Sequence, residues 1–223
     1  MRRFFLIGGT WPVTWRRMGL YGEHVVPRLV DLACGSAGFD RWRARATEGL
    51  AGRVVEIGFG SGHNVPHYAT DVDVVFAVEP APLARRLAER RIAASPVPVT
   101  HVGLDGQQIP LGDASCDAAL CTFTLCTVPH PEQALSELRR VVRPGGTLHF
   151  FEHGLSPDPG VAQWQRRLEP WQRRLAGGCH LARDPTALVE QAGFVMEQNE
   201  QRYVRGPKPW SWVTLGVAAT PMR

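Results

Sequence analysis

The sequence predicts an α/β protein with a seven-stranded, mostly parallel sheet, helices on both faces and an antiparallel hairpin at its C-terminal end. Short apolar runs alternate along the chain with longer segments that have a helical apolar period. The runs are apolar at nearly every position, as expected of strands in a parallel sheet that is covered on both faces. The chain has 223 residues, enough for one sizeable core.

The N-terminal part divides into a leader and a helical segment. Residues 1–17 contain four arginines and no acidic residue, which leaves 21 basic and 21 acidic residues for the rest of the chain. We expect a flexible leader here that contacts a membrane surface peripherally at most. A single domain is expected over 18–223, beginning with a helical segment over 18–50 that is broken at Gly35 and Gly38. Apolar residues from Val25 to Leu32 predict one apolar helix face.

The elements of the sheet follow in alternation. The predicted strands cover 53–57, 72–78, 97–102, part of 116–125, 147–151, 194–203 and 211–218. The predicted helices run from Gly62 to about 68 and over 83–94, 131–142, 161–176 and 185–192. The short connection at 206–209 favours a hairpin between the last two strands. Parallel sheets bind ligands at the carboxyl ends of their strands, so we expect the functional residues there.

A glycine-rich turn follows the first strand. It reads Glu56-Ile57-Gly58-Phe59-Gly60-Ser61-Gly62. Glycines at such a turn let the backbone come close to a ligand. The spacing G-x-G-x-G differs from the G-x-G-x-x-G of nicotinamide-dinucleotide sites. Glu79 ends the second strand, where a carboxylate can accept both hydroxyls of a ribose, but both classes of cofactor use such a residue.

Five motifs in this order resemble those of the class I S-adenosylmethionine-dependent methyltransferases, which have a Rossmann-like sheet. They are the glycine-rich turn, Val78-Glu79-Pro80, Asp105-Gly106 before Ile109-Pro110-Leu111, Asp117-Ala118-Ala119-Leu120 and Arg143-Pro144-Gly145-Gly146. The resemblance covers about residues 53–153. It implies S-adenosylmethionine as the cofactor.

The resemblance also implies roles for individual residues. Glycines of the turn make room for the methionine part of the cofactor, namely Gly58, Gly60 and Gly62. Glu56 and Asn64 lie near its amino-acid end, and Thr122 lies near the methionine moiety. Glu79, followed by Pro80, binds the ribose, and Asp105 and Gly106 meet the adenine.

Segments around the fourth and fifth strands are similar to a narrower family. Cys121 to Val128, Phe151 to Gly154, and the stretch from Trp164 to Asp184 resemble the methyltransferase-like family of animal thiol S-methyltransferases and its bacterial relatives. This implies a small-molecule acceptor, a thiol or sulfide. Catalytic candidates that could raise the thiolate fraction are His153 and His180. Residues that could line the acceptor pocket are Tyr21, Cys179 and Arg183.

Other functions remain open or are disfavoured. The alternative acceptors are a phospholipid, a quinone or another lipophilic molecule, methylated on nitrogen or oxygen, and a non-catalytic cofactor-binding module is a further alternative. The charge balance outside the leader disfavours a nucleic-acid partner. We predict no metal: His63 and His67 have no evident third ligand, and Cys116, Cys121 and Cys126 alternate between strand faces. Five cysteines without a signal peptide predict the cytoplasm.

Overall fold

The computed structural model describes residues 25–222. Its seven strands form one sheet in the order β3-β2-β1-β4-β5-β7-β6. The strands are β1 (Gly52–Ile57), β2 (Val72–Val78), β3 (Val99–Gly103), β4 (Cys116–Thr122), β5 (Val142–His153), β6 (Val195–Tyr203) and β7 (Trp212–Ala219). Strands β1 to β5 pair in parallel, and β7 pairs antiparallel with both β5 and β6. The predicted fold class, including the C-terminal hairpin, is confirmed.

The helices cover both faces of the sheet. They are α1 (Val26–Cys34), α2 (Ala37–Thr47), α3 (Pro82–Ala93), α4 (Pro131–Val141), α5 (Pro159–Leu175), α6 (Pro185–Gln191) and α7 (Lys208–Ser211). No helix in the part of the chain that the structure describes is long and apolar enough to cross a membrane.

Two apolar clusters form the core, one on each face. Helix α4 contributes Leu135 and Leu138 to the first cluster, which packs on Val55 and Ile57 of β1. Helix α2 contributes Trp42 to the second cluster, together with Val54, Phe151 and other strand residues. Successive residues of β1 therefore point to opposite faces of the sheet, and Glu56 points to the face that α2 covers.

The glycine-rich turn is not followed by the helix that the sequence predicts. Only a three-residue 3-10 helix, Val65–His67, forms before the chain turns toward β2. Two local features explain this. Asn64 is held by buried side chains, and Pro66 has no backbone N–H to extend a helix.

The N-terminal helices also differ from the prediction. The break falls at Gly35 and Ser36, and Gly38 lies inside α2. Glycine disfavours a helix interior by only about 0.5–1 kcal/mol, which the packing of α2 can offset. The predicted apolar face of α1 is largely exposed at Leu29 and Leu32. This helix packs against α3 at the ends of the strands and not on the sheet.

Candidate active site

A cavity opens at the carboxyl ends of the first four strands. The turn after β1, the end of β2 and the segments after β3 and β4 form its floor and sides. Helix α1 and the residues Ala176 and Gly177, just after α5, complete its walls. This is where a parallel sheet places ligands, as the sequence predicts.

The glycine-rich turn has a backbone that only glycine adopts easily. Gly58 and Gly60 have φ angles of +65° and +58°. A Cβ atom on Gly58 would overlap the Thr124 side chain, whereas a Cβ atom on Gly60 would meet nothing closer than 3.8 Å. Both residues line the cavity, but Gly62 does not, and its neighbours are the packed side chains of Phe59, Val65 and Ala88.

Glu79 is the buried carboxylate of the cavity. Its two oxygens accept hydrogen bonds from the backbone N–H groups of Gly60 at 2.7 Å and Ala81 at 2.8 Å. Burial raises the pKa of Glu79, and these two bonds oppose the rise. A carboxylate oxygen has more than one lone pair, so Glu79 can still accept hydrogen bonds from a ligand in the cavity.

Four more of the predicted cofactor residues line the same cavity. They are Pro80, Asp105, Gly106 and Thr122. One oxygen of Asp105 accepts bonds from both the backbone and the side chain of Gln107, which orients the carboxylate.

A buried polar network lies behind the cavity wall. Arg43 of α2 donates from Nη1 to Asn64 Oδ1 at 2.8 Å and to Thr122 Oγ1 at 3.1 Å. Asn64 in turn donates to Glu56 Oε1 at 2.8 Å, and the Tyr68 hydroxyl donates to the other oxygen of Glu56. Arg43 and Thr122 line the cavity, whereas Glu56 and Asn64 lie one layer deeper. The structure therefore gives these two predicted residues indirect contact with the cavity at most.

Burial controls the ionisation of this network. It raises the pKa of Glu56 to about 7, although hydrogen bonds from Tyr68 and Asn64 and the charge of Arg43 all oppose the rise. Burial lowers the pKa of Arg43, which remains a cation at neutral pH. Sequence reasoning missed both Arg43 and Tyr68. The available signal for Arg43 was its place on the apolar face of α2, beside Trp42.

A histidine–carboxylate pair also faces the cavity. His63 Nε2 lies 2.9 Å from Asp31 Oδ1 of α1, and Asp31 also accepts a hydrogen bond from Ser61. All three residues line the cavity. Burial, followed by the charges of Arg43 and Arg91, lowers the pKa of His63, so its imidazole is neutral at pH 7. From the sequence, the spacing of His63 and His67 indicated only a possible pair of metal ligands.

The predicted catalytic histidines and Cys179 lie behind the residues that line the cavity. His153 Nε2 lies 3.1 Å from Cys179 Sγ, and its ring stacks on Phe123, which does line the cavity. His180 pairs with Glu169 at 2.8 Å. None of these predicted residues lines the cavity, because Phe123 and the loop after β4 come between.

Arg183 and Tyr21 complete the set of predicted acceptor residues. Arg183 donates to the carbonyl oxygens of Leu125, Val128 and Pro129, so it holds the loop after β4 in place. It does not itself line the cavity. Tyr21 lies outside the described residues.

Comparison with known families and proteins points to one enzyme class. A family described as a methyltransferase domain matches residues 55–150. The thiol S-methyltransferase TMT1B of Homo sapiens is 36% identical over 176 residues, which span 75% of this chain and 69% of that protein. The Rattus norvegicus TMT1B is 35% identical over 169 residues, which span 73% of this chain and 66% of that protein. The chain thus spans about two thirds of the length of these relatives.

More distant similarities extend to other methyltransferases. A phosphatidylethanolamine N-methyltransferase of Cereibacter sphaeroides is 32% identical over 127 residues, 56% of this chain and 62% of that protein. The structure of a phospholethanolamine N-methyltransferase 2 from Haemonchus contortus, which contains S-adenosylhomocysteine, has a TM-score of 0.69 at 11% identity, covering 93% of this chain and 60% of that chain. A Methanosarcina mazei methyltransferase has a TM-score of 0.57 at 18% identity, covering 77% of this chain and 93% of that chain. At these identities, the structures support the fold alone.

Proposed function

Because this chain belongs to the class I S-adenosylmethionine-dependent methyltransferases, in the family that includes the mammalian thiol S-methyltransferases, we propose that it methylates the sulfur of a small thiol or sulfide. The observation that carries the proposal is the similarity to TMT1B. It extends over 176 residues, well beyond the methyltransferase domain at 55–150. Segments outside that domain include the cavity wall at Ala176 and Gly177, which faces the acceptor in our proposal.

The residues of the cavity fit the cofactor. Gly60 leaves space that a side chain would fill, and the buried Nε of Arg43 has no hydrogen-bond partner among the described residues. We assign Arg43 and Thr122 to the amino-acid end of S-adenosylmethionine, Glu79 to its ribose hydroxyls, and Asp105 with Gly106 to its adenine. When bound, this cofactor supplies an electrophilic methyl group on a sulfonium ion.

The walls of the cavity suit a thiolate acceptor. Val30, Phe123, Val128 and Ala176 present an apolar surface around the charged groups. A thiolate and a sulfonium ion cancel their charges as they react, so a site with little water favours the reaction. Positioning of the two groups supplies much of the remaining acceleration.

Residue His63 is the proton acceptor that we propose for the thiol. A typical thiol has a pKa of about 8.5, so most of it is protonated at neutral pH. His63 is neutral, lines the cavity and is oriented by Asp31, so its other ring nitrogen can accept the proton of a thiol that binds within hydrogen-bond reach. This assignment replaces His153 and His180, which do not reach the cavity.

Methylation of a lipid amine is the second candidate function. It is supported by the similarity to the phosphatidylethanolamine N-methyltransferase, which is 32% identical over a shorter segment of 127 residues. A lipid amine would use the same cofactor residues. The apolar walls would in that case accommodate an acyl chain.

A methyl-transfer screen distinguishes the candidates. The full chain is incubated with labelled S-adenosylmethionine and, separately, with sulfide, alkyl thiols, phosphatidylethanolamine vesicles and quinols. We expect turnover of alkyl thiols and its loss in Glu79→Ala, with Glu89→Ala, an exposed change on α3, as the matched control. Turnover of the lipid amine without any thiol would reject S-methylation, and absence of cofactor binding in calorimetry would reject the class of reaction.

The cysteines bear on the cellular compartment. We propose a reducing cytoplasm, and the five cysteines, all free in the structure, support it.

A further inference from the structure

Two cysteines and a histidine meet behind the cavity wall. Cys126 lies in the loop after β4, His153 ends β5, and Cys179 lies between α5 and α6. One ligand atom from each residue lies within 4.8 Å of the others. The three residues are 3%, 8% and 9% exposed, respectively. The fold thus collects three soft donor atoms in one enclosed place.

These donors are the ones that zinc prefers. Structural and catalytic zinc sites use cysteine sulfur at about 2.3 Å and histidine nitrogen at about 2.0–2.1 Å from the metal, arranged as a tetrahedron. Donor atoms at those distances from one ion lie about 3.4–3.8 Å apart by tetrahedral geometry. His153 Nε2 and Cys179 Sγ lie 3.1 Å apart, so these two atoms would have to move apart only slightly to reach that range.

We propose that Cys126, His153 and Cys179 bind a thiolate-preferring divalent metal ion, with zinc as the first candidate. Binding replaces the two thiol protons, which are released to solvent, by two metal–sulfur bonds. Two thiolates and a neutral imidazole balance the charge of the dication. Three protein ligands leave the fourth position of the tetrahedron to a water molecule or another small donor.

The protein without metal leaves this group incompletely bonded. Nε2 of His153 faces Cys179 and is the nitrogen that would bind the ion, whereas Nδ1 is buried with no hydrogen-bond partner among residues 25–222. Sulfur is a weak hydrogen-bond donor and acceptor, so the contacts of Cys126 with Thr127 and of Cys179 with His153 are weak. A cluster of buried, polarisable donors whose hydrogen bonds all involve sulfur is suited to a cation.

The ion would join two walls of the cavity. Cys179 comes two residues after Gly177, which lines the cavity, and Cys126 comes one residue before Thr127, which also lines it. A backbone bond from His180 N–H to the Cys126 carbonyl at 2.7 Å already links the two loops. None of the three ligands lines the cavity itself, so the proposed ion would not contact an acceptor bound there.

Metal content and cobalt binding test the site. The full chain is purified without chelator, in the presence of reductant, and its zinc content is measured by mass spectrometry. After removal of zinc by a chelator, Co²⁺ is titrated as an optical probe. We expect about one zinc per chain and a cobalt–thiolate charge-transfer band in the near ultraviolet. The cobalt titration uses the unmodified chain, so it does not depend on how well a variant folds.

Variants locate the ligands. Cys126→Ser and Cys179→Ser should each weaken cobalt binding more than about 100-fold, since even loss of a supporting partner costs 10–100-fold. Cys116→Ser is the matched control, because Cys116 is also a buried cysteine, but at the start of β4. It should bind cobalt like the parent.

Three outcomes would overturn the proposal. The first is a folded, reduced chain that binds neither zinc nor cobalt. The second is an equal loss of the cobalt band in Cys116→Ser and Cys126→Ser. The third is a Cys126–Cys179 disulfide in protein alkylated directly on lysis, which would make the pair a redox couple. Each outcome is independent of methyl transfer, so failure of this proposal and failure of the proposed function are distinguishable.

Discussion

His63 is the residue whose titration most directly reports on the proposed chemistry. If it removes the thiol proton, His63→Asn should lower kcat/KM for an alkyl thiol about 100-fold at pH 7. The loss should shrink as the pH rises past the thiol pKa of about 8.5, because the thiolate then forms without help. The measurement is a pH profile of kcat/KM for both proteins.

The control for His63 is His67→Asn. His67 lies four residues further on and does not line the cavity, so its replacement should leave the profile unchanged. An equal loss in both variants, or a loss in His63→Asn that is constant with pH, would contradict a role as base.

Arg43 contributes a buried positive charge to the cavity. Its replacement by methionine keeps most of the volume of the side chain but removes the bonds to Asn64 and Thr122 and the unpaired Nε. A hydrogen bond to a charged group contributes about 1.5–3 kcal/mol, so S-adenosylmethionine should bind at least about tenfold more weakly. Calorimetry measures the affinity. Arg41→Met, an exposed neighbour on α2, should bind like the parent, and parent-like binding by Arg43→Met would remove Arg43 from the cofactor site.

Glu56 links folding to pH. Its pKa is about 7 in the folded protein against 4.5 for a free side chain, so the folded state holds an extra proton between these values. The free energy of unfolding should therefore fall as the pH rises from about 4.5 to 7, with a total contribution of about 3 kcal/mol from Glu56. Glu79 and Glu152, whose pKa values are also raised by burial, act in the same direction.

The variant Glu56→Gln isolates this contribution. In urea unfolding at pH 5, 6, 7 and 8, the free energy of unfolding of this variant should depend less on pH than that of the parent, because the variant lacks the titrating Glu56. Some dependence should remain, because Glu79 and Glu152 are present in both proteins. Glu89→Gln, which changes an exposed carboxylate on α3, should follow the parent. Parallel curves for Glu56→Gln and the parent would show that Glu56 titrates normally.

At the scale of elements, the turn after β1 depends on two glycines for different reasons. Gly60→Ala introduces backbone strain alone, which costs about 1–2 kcal/mol at a positive φ. Gly58→Ala adds the overlap with Thr124 at the end of β4, and such overpacking costs about 1–3 kcal/mol more. Urea unfolding should rank Gly58→Ala as the less stable variant. Equal stabilities would mean that the end of β4 can move away from the turn.

The elements that the sequence predicts correctly are those whose pattern is local. The runs 53–57 and 72–78 are mostly apolar and form parallel strands, and the alternation with helices determines the rest of the sheet. The helix predicted after Gly62 does not form. Pro66 is a local reason for this, whereas the bonds of Asn64 and Tyr68 to Glu56 and Arg43 are contacts that no local pattern reports.

The same distinction holds for the site. Motif residues such as Glu79 and Asp105 line the cavity as predicted, since they directly follow strands. Arg43, Asp31 and the group formed by Cys126, His153 and Cys179 depend on which helix or loop packs beside which strand end. Their partners lie more than 20 residues away, so spacing in the sequence could not reveal them.

At the scale of the whole molecule, the excess positive charge and the cavity lie in different parts of the chain. The four arginines of residues 1–17 account for the net charge of +4, and the cavity residues within the described range 25–222 run from Val26 to Gly177. A chain that begins at Met18 should therefore bind S-adenosylmethionine with the affinity of the full chain in calorimetry. Its binding to anionic lipid vesicles should be weaker than that of the full chain, since each basic residue near such a surface contributes about 1 kcal/mol. A large loss of cofactor affinity on this deletion would place part of the cofactor site in the first 17 residues, and unchanged vesicle binding would assign the membrane contact to the domain.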